Sequence, residues 1–283
     1  MSLLVEPSGS ASPALVDHEL TQAQFSRVAK LLYDHCGIAM RPGKEGLVRA
    51  RLAKRLRKLS LPDFDAYFQR VGDNPADSEF REMVDALTTN KTSFLRERAH
   101  FDYLRDHLLP PLTNSARIWS AGCSSGEEPY TLAMLLLDHA QTTGLQDIRI
   151  LATDISQRSL AAASAGTYAA DIMADVPAEW QRRYWTRSEI PGGAESFTAL
   201  PALRRLVKFA RLNLMEQWPM SGPFDAIFCR NVMIYFDKPT QQRLVERYWS
   251  LLRPGGHLFV GHSESLTGTS HRFRYVQPAV YVR

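Results

Sequence analysis

The sequence predicts an α/β fold: a doubly wound, mostly parallel sheet, preceded by a small all-helical domain and carrying a small inserted β subdomain. Three observations predict it. From Arg117 onward, short apolar runs of buried-strand type (Arg117 to Ala121, Ile148 to Thr153, Phe224 to Cys229, His257 to Gly261) alternate with helical patterns such as Tyr130 to His139 and Thr240 to Leu252. Up to Leu87 the apolar spacing is helical instead. From about Trp180 to Leu206, Pro, Gly and two short β-like pieces break the alternation.

Taken in order, residues 1 to about 17 are rich in Ser, Ala and Pro and are expected to form a disordered lead. Residues 18–87 read as the helical domain. Thr21 and Gln24 have capping-box spacing, Phe25, Val28, Leu31 and Leu32 follow at helical intervals, and Gly37 supplies the stop. A second helix is predicted from Gly43 to Leu59 on the stripe Val48, Leu52, Leu56 and Leu59, and two more from Phe64 to Val71 and Ser78 to Leu87. Residues 88–110 form a linker and connecting helix: a Thr-rich stretch, Thr88 to Ser93, then Ala99 to Leu109, ended by Pro110 and Pro111. Residues 111–283 form the sheet domain, with its insertion at about 180–206.

With 45% hydrophobic and 23% charged residues, the composition is that of a globular protein. No apolar run approaches the roughly 20 residues that cross a bilayer, and Met1 to Val16 lacks a signal-peptide pattern, so a cytoplasmic protein without membrane insertion is expected. Cys36, Cys123 and Cys229 lack metal-ligand spacing and read as free thiols, with no metal expected. The net charge of +4 is too small to imply a nucleic-acid partner, but its distribution is uneven. Between Lys44 and Lys58, seven basic residues (Lys44, Arg49, Arg51, Lys54, Arg55, Arg57, Lys58) meet one acid, Glu45. Arg51, Lys54 and Lys58, with Arg57 adjacent, lie opposite the Val48-Leu52-Leu56 stripe, either as a solvated face or as a dock for an acidic partner.

In a doubly wound sheet, ligands sit beyond the carboxyl ends of the strands. The first strand runs into Ala121-Gly122-Cys123-Ser124-Ser125-Gly126-Glu127-Glu128-Pro129, where glycines permit a tight turn and a helix begins. The turn lacks Gly-x-Gly-x-x-Gly, and Asp154, the acid closing the second strand, follows Gly122 by about 30 residues where a dinucleotide site has about 20. A carboxylate there suits two ribose hydroxyls. Glu127 opposes pyrophosphate and suits a cationic amino group, which points to S-adenosylmethionine; acids in a first helical turn also complement the dipole of any helix.

Three blocks then carry a specific resemblance: Thr89-Asn90-Lys91-Thr92-Ser93-Phe94-Leu95-Arg96-Glu97, Ser120 through Tyr130, and Phe228-Cys229-Arg230-Asn231-Val232-Met233-Ile234-Tyr235-Phe236. In this order, with the helical domain before them and Leu252-Arg253-Pro254-Gly255-Gly256 after, they resemble the signature blocks of the CheR chemotaxis receptor methyltransferases. The resemblance implies a Rossmann-like, class I S-adenosylmethionine-dependent methyltransferase fold. It implies that Asn90, Thr92 and Arg96 reach the cofactor from the linker, that Gly122 and Glu127 face its amino-acid end, and that Asp154 takes the ribose. Asn213, Leu214, Arg230 and Asn231 would line its adenine and methionine portions. Read singly, Asn90 also suits a helix cap, Asn213 a strand end, and Arg230 a pairing with Asp225.

The implied reaction is methyl esterification of glutamate side chains on methyl-accepting chemotaxis receptors, at receptor arrays, by a monomer. A carboxylate attacking a sulfonium methyl needs no general base, because glutamate, with a reference pKa of about 4.3, is already ionised. Orientation dominates the rate. Family members have an arginine and a tyrosine beside the methyl group, here Arg96 and Tyr235, as donors to the acceptor carboxylate. The family's use of its helical domain assigns substrate docking to Arg51, Lys54, Arg57 and Lys58. Some members also grip a pentapeptide tail of the receptor with a Gly- and Arg-rich loop of the insertion; Tyr184 to Gly193 keeps Arg187 without glycines directly after it, so tail tethering is not expected. Two other readings stand beside this one: a nucleic-acid methyltransferase, against which Asn231 is followed by Val232-Met233-Ile234 rather than Pro-Pro and an aromatic, and an idle cofactor-binding adaptor.

Overall fold

The computed structural model describes residues 19–283 apart from 75, 191 and 192; the expected disordered lead lies outside the described residues. Four helices come first: α1 (Gln22–Cys36), α2 (Glu45–Leu59), α3 (Phe64–Val71) and α4 (Ser78–Leu87). The Thr21 hydroxyl and the Gln24 side chain complete the capping box of α1, and Gly37, at φ 70°, closes it. Val28, Val48, Leu52, Leu56, Phe64, Tyr67 and Met83 fuse the helices around one core. The second helix starts two residues later than its periodicity predicts, because Gly43 sits at φ +86°, outside helical space.

The linker leads into α5 (Ala99–Tyr103), which the sequence extends to Leu109. There the helix widens into a π-helical turn, Leu104–Leu108, with the Leu109 N–H donating to the Leu104 carbonyl at 2.9 Å. Leu104, Leu108 and Leu109 are thereby all buried, a pattern that plain helical spacing does not reveal.

The α/β domain follows as β1 (Ser115–Ala121), α6 (Glu127–Thr143), β2 (Asp147–Asp154), α7 (Gln157–Ala165), β3 (Thr167–Ala169), α8 (Ala178–Tyr184), β4 (Trp185–Ile190), β5 (Ala194–Ala199), α9 (Pro201–Arg204), β6 (Val207–Arg211), β7 (Phe224–Cys229), α10 (Lys238–Leu251), β8 (Leu252–Val260), β9 (Arg274–Gln277) and β10 (Val280–Val282). The main sheet has the order β6-β2-β1-β7-β8-β10-β9, parallel through β8 and antiparallel at β10 and β9. Alternate residues enter opposite cores, Ile118 and Phe228 one, Trp119, Ile227 and Cys229 the other. The inserted sheet, β3-β5-β4, begins at Thr167, earlier than Trp180, since the three-residue β3 pairs with β5 and is too short to read from sequence. The sheet order reverses at β1, whose neighbours are β2 and β7, and the carboxyl ends of these strands carry the site.

Candidate active site

A cavity of about 390 Å³ opens beyond those strand ends. That is within the roughly 300–1,000 Å³ of small-molecule sites. Its wall contains Asn90, Thr92 and Arg96 from the linker, Gly122 after β1, Asp154 after β2, Asn213 and Leu214 after β6, and Arg230, Asn231 and Tyr235 after β7. The helical domain supplies the opposite wall through Cys36 to Arg41.

Each turn is held by hydrogen bonds from a distant segment. The Gly122 and Cys123 N–H groups donate to the Thr153 carbonyl, at 2.7 and 2.9 Å. At Gly122, φ is +101°, and an added Cβ would lie 2.3 Å from Val232 Cγ2, so only glycine lets the loops after β1 and β7 meet. Asp154, 8% exposed, accepts from the Ser124 N–H at 2.8 Å and the Ser156 N–H at 2.9 Å. Burial raises its pKa against those N–H donors. Each carboxylate oxygen retains acceptor capacity beyond one N–H. Asn90 caps no helix; its amide donates to Ser159 Oγ at 2.7 Å, and its carbonyl accepts from the Ser124 hydroxyl at 2.9 Å.

The linker crosses the loop after β7. Arg230 donates to Glu128 Oε2 at 2.9 Å, to Glu97 Oε2 at 3.1 Å and to the Arg96 carbonyl, while the Asn231 amide donates to Glu97 Oε1 at 3.2 Å. Arg230 therefore does not pair with Asp225, which instead holds Arg253 and the Arg117 N–H. Burial pushes the Glu97 pKa upward, but the Arg230 guanidinium and the Asn231 amide outweigh it and hold the carboxyl below its ordinary value. Arg96 donates to the Lys91 carbonyl at 2.8 Å, and the Tyr235 hydroxyl to the Thr89 carbonyl at 3.3 Å, so both side chains lean on the linker.

Two of the expected site residues sit in settings the sequence does not reveal. Glu127 is not part of the cavity wall: its carboxylate, 3% exposed, accepts from the Ser125 hydroxyl at 2.8 and 2.9 Å, and the adjacent Glu128 lines the cavity. Successive residues of a first helical turn point about 100° apart, and sequence does not say which faces the cleft. Arg51 is not a free docking cation. Its guanidinium donates to the Leu87 and Thr88 carbonyls at 2.7 and 3.0 Å and to Thr89 Oγ1 at 2.9 Å, fastening α2 to the linker. Arg55, another of the seven basic residues, is buried against Glu79 and Glu82 of α4, at 2.6 Å each. Lys54, Arg57 and Lys58 remain exposed.

Sequence reasoning passed over two contributors. Glu264, 8% exposed, accepts from the N–H groups of Asn231 at 2.8 Å, Ile234 at 3.0 Å and Gly261 at 2.5 Å, and pins the loop that bears Arg230, Asn231 and Tyr235. The end of α1 is the other. The Asn213 amide donates to the His35 carbonyl at 2.6 Å, the Ala39 N–H to the Tyr235 carbonyl at 2.8 Å, and the Tyr33 hydroxyl to Asp237 Oδ2 at 2.7 Å. An acid three residues past Gly261 was the only local hint of the first, and nothing local marks the second.

Comparison with known proteins agrees with this geometry. Residues 90–282 match the model of the CheR methyltransferase SAM binding domain, and residues 23–88 that of the CheR methyltransferase all-alpha domain. Chemotaxis protein methyltransferase 2 of Pseudomonas aeruginosa is 41% identical over 280 residues, covering 97% of this chain and 99% of the relative. The chemotaxis protein methyltransferase of Escherichia coli is 39% identical, covering 93% and 91%, and a probable chemotaxis protein methyltransferase of Rhizobium etli 42%, covering 84% and 91%. With both of its domains matched and close relatives along nearly all its length, the chain belongs to the CheR methyltransferase family.

Proposed function

We propose that this methyltransferase esterifies glutamate side chains on chemotaxis receptors, with S-adenosylmethionine as methyl donor. The observation that carries the reading is the convergence, in one cavity, of Asp154, the Gly122 turn, the Arg230-Asn231 loop and the linker bearing Arg96. The cavity residues fit the donor. Asp154 offers a buried acceptor to ribose hydroxyls, and Asn213 and Leu214 flank the adenine side. Glu128 is committed to Arg230 and the Ser120 hydroxyl, whereas no ion pair among the described residues involves Glu127. Glu127 is therefore assigned to the ammonium group, turning from Ser125 to do so. Bound S-adenosylmethionine supplies an electrophilic methyl on a sulfonium.

Arg96 and Tyr235 orient the acceptor carboxylate toward that methyl, and the walls from both domains exclude water. Proton abstraction by the protein is not required. Outside the cavity, exposed Lys54, Arg57 and Lys58 suit an acidic helical surface, the setting of receptor glutamates. In the inserted hairpin Arg187 pairs with Glu195 across β4 and β5 and is not assigned to a receptor tail.

The test is methyl transfer from labelled S-adenosylmethionine to receptor-containing membranes, with peptide mapping. Base-labile label on glutamates supports the reading; label on another acceptor, or none, refutes it. In calorimetry, Glu127→Gln should weaken S-adenosylmethionine binding while leaving the fold intact, and an effect confined to Glu128→Gln would reassign the ammonium contact.

A further inference from the structure

Among the described residues, potential metal-binding side chains converge in one place, where Glu97, His100 and His262 bring one ligand atom each within 4.8 Å of the others. His100 is fully buried, and neither ring nitrogen makes a hydrogen bond of normal geometry; the Pro278 carbonyl is a nearby backbone acceptor. An imidazole so placed forfeits its partners unless something else satisfies them. Its Nδ1 lies 3.5 Å from Glu97 Oε2, long for a hydrogen bond. Two ligands at about 2.0–2.2 Å on a tetrahedral ion stand about 3.4 Å apart. The His262 ring faces His100 edge-on, with centroids 4.7 Å apart, and is exposed, which leaves an approach from solvent.

We propose that Glu97, His100 and His262 form a site for one borderline divalent transition ion of the zinc class, and that its binding draws Glu97 away from Arg230 and Asn231. Imidazole and carboxylate together select such ions over magnesium or calcium, which take oxygen ligands. Arg230 opposes a dication, but the Arg230, Glu97 and Glu128 charges sum to one negative, so the field of the cluster as a whole does not. The consequence for the enzyme follows from shared lone pairs. Glu97 Oε2 accepts from Arg230 and Oε1 from Asn231, and both donors line the cavity. An ion on Glu97 weakens both bonds, loosens the loop after β7 and slows methyl transfer. The ion-binding part stands on the geometry alone; the slowing rests on the methyltransferase reading.

The experiment titrates the chelator-stripped full chain with Zn²⁺ by calorimetry and with Co²⁺ by visible absorption, alongside methyl transfer. One ion per chain is expected, with the intense visible bands of tetrahedral cobalt. His262→Ala, outside the cavity, should bind the ion at least about tenfold more weakly. It should transfer methyl normally in chelator and need correspondingly more Zn²⁺ for inhibition. No stoichiometric binding, or equal affinity in His262→Ala, overturns the site. Binding without slowed transfer overturns the withdrawal of Glu97. An inactive wild-type chain in chelator would instead count against the methyltransferase reading, leaving the calorimetric and cobalt results to decide the site.

Discussion

Glu264 offers the sharpest test of how the cavity is held, because it touches no part of the proposed reaction directly. Its carboxylate collects three backbone N–H groups, of Asn231, Ile234 and Gly261, across the ends of β7 and β8. Asn231 sits at φ 58°, in the left-handed region that asparagine tolerates better than most residues with a side chain. Hydrogen bonds to a charged acceptor contribute about 1.5–3 kcal/mol each, and a buried donor left without one costs about 1–3 kcal/mol. Glu264→Gln keeps one acceptor oxygen and turns an NH₂ toward the remaining N–H, so about 2–3 kcal/mol of stability should be lost. Glu264→Ala strands all three donors, and about 3–5 kcal/mol is expected, less if water enters. Urea unfolding followed by tryptophan fluorescence measures the loss, and calorimetry of S-adenosylmethionine binding on the still-folded Gln variant measures the site. Affinity should fall about tenfold as the Arg230-Asn231 loop relaxes, with Asp154 and the Gly122 turn untouched. A Gln variant within about 0.5 kcal/mol of the parent and with unchanged affinity would show that the loop holds its shape without this carboxylate.

Other expectations follow from the same geometry. Tyr235→Phe removes one neutral hydrogen bond, of about 1–1.5 kcal/mol, so kcat should fall about five- to tenfold while donor affinity stays within twofold; equal turnover would take Tyr235 out of the mechanism. Reversing Lys54, Arg57 and Lys58 to Glu should weaken receptor methylation about tenfold at low salt and less at high salt, from three exposed pairs near 0.5 kcal/mol each. Arg51→Ala should act differently, lowering stability and donor binding without a salt dependence, because its bonds are to the linker; a purely salt-sensitive effect would return it to the docking face. Acid should destabilise the metal-free protein through His100. Its folded pKa, about 3, lies below its unfolded value of about 6.5, so the unfolded chain takes the proton first and stability falls as pH drops below 6.5. At pH 5 this amounts to about 2 kcal/mol, which His100→Asn should largely abolish when unfolding at pH 5 and 7 is compared.

What residue order alone determined was the set of chain segments at the site. The alternation of apolar runs marked β1, β2, β7 and β8, and the rule that ligands meet strand ends singled out Gly122 and Asp154 without knowledge of a contact, while Asn213 and Arg230 came from the family resemblance. The blocks around Asn90, Gly122 and Asn231 were specific enough to name the family. What only the tertiary structure decided was the direction and partner of each side chain. Glu127 and Glu128 are neighbours in one helical turn, and the strand behind α6 sets which of them meets the cavity. Arg51 looks like part of a basic face, and Arg55 like one more uncompensated charge, until α4 brings its terminal carbonyls to the first and Glu79 and Glu82 to the second. Glu264 and the end of α1 act on residues 30 or more positions away. Periodicity records how each residue meets its own element, within a few neighbours along the chain. Hydrogen bonds and charges are completed by whatever the packed fold brings within about 3 Å, and that information is spread over the whole sequence rather than held at the residues it positions.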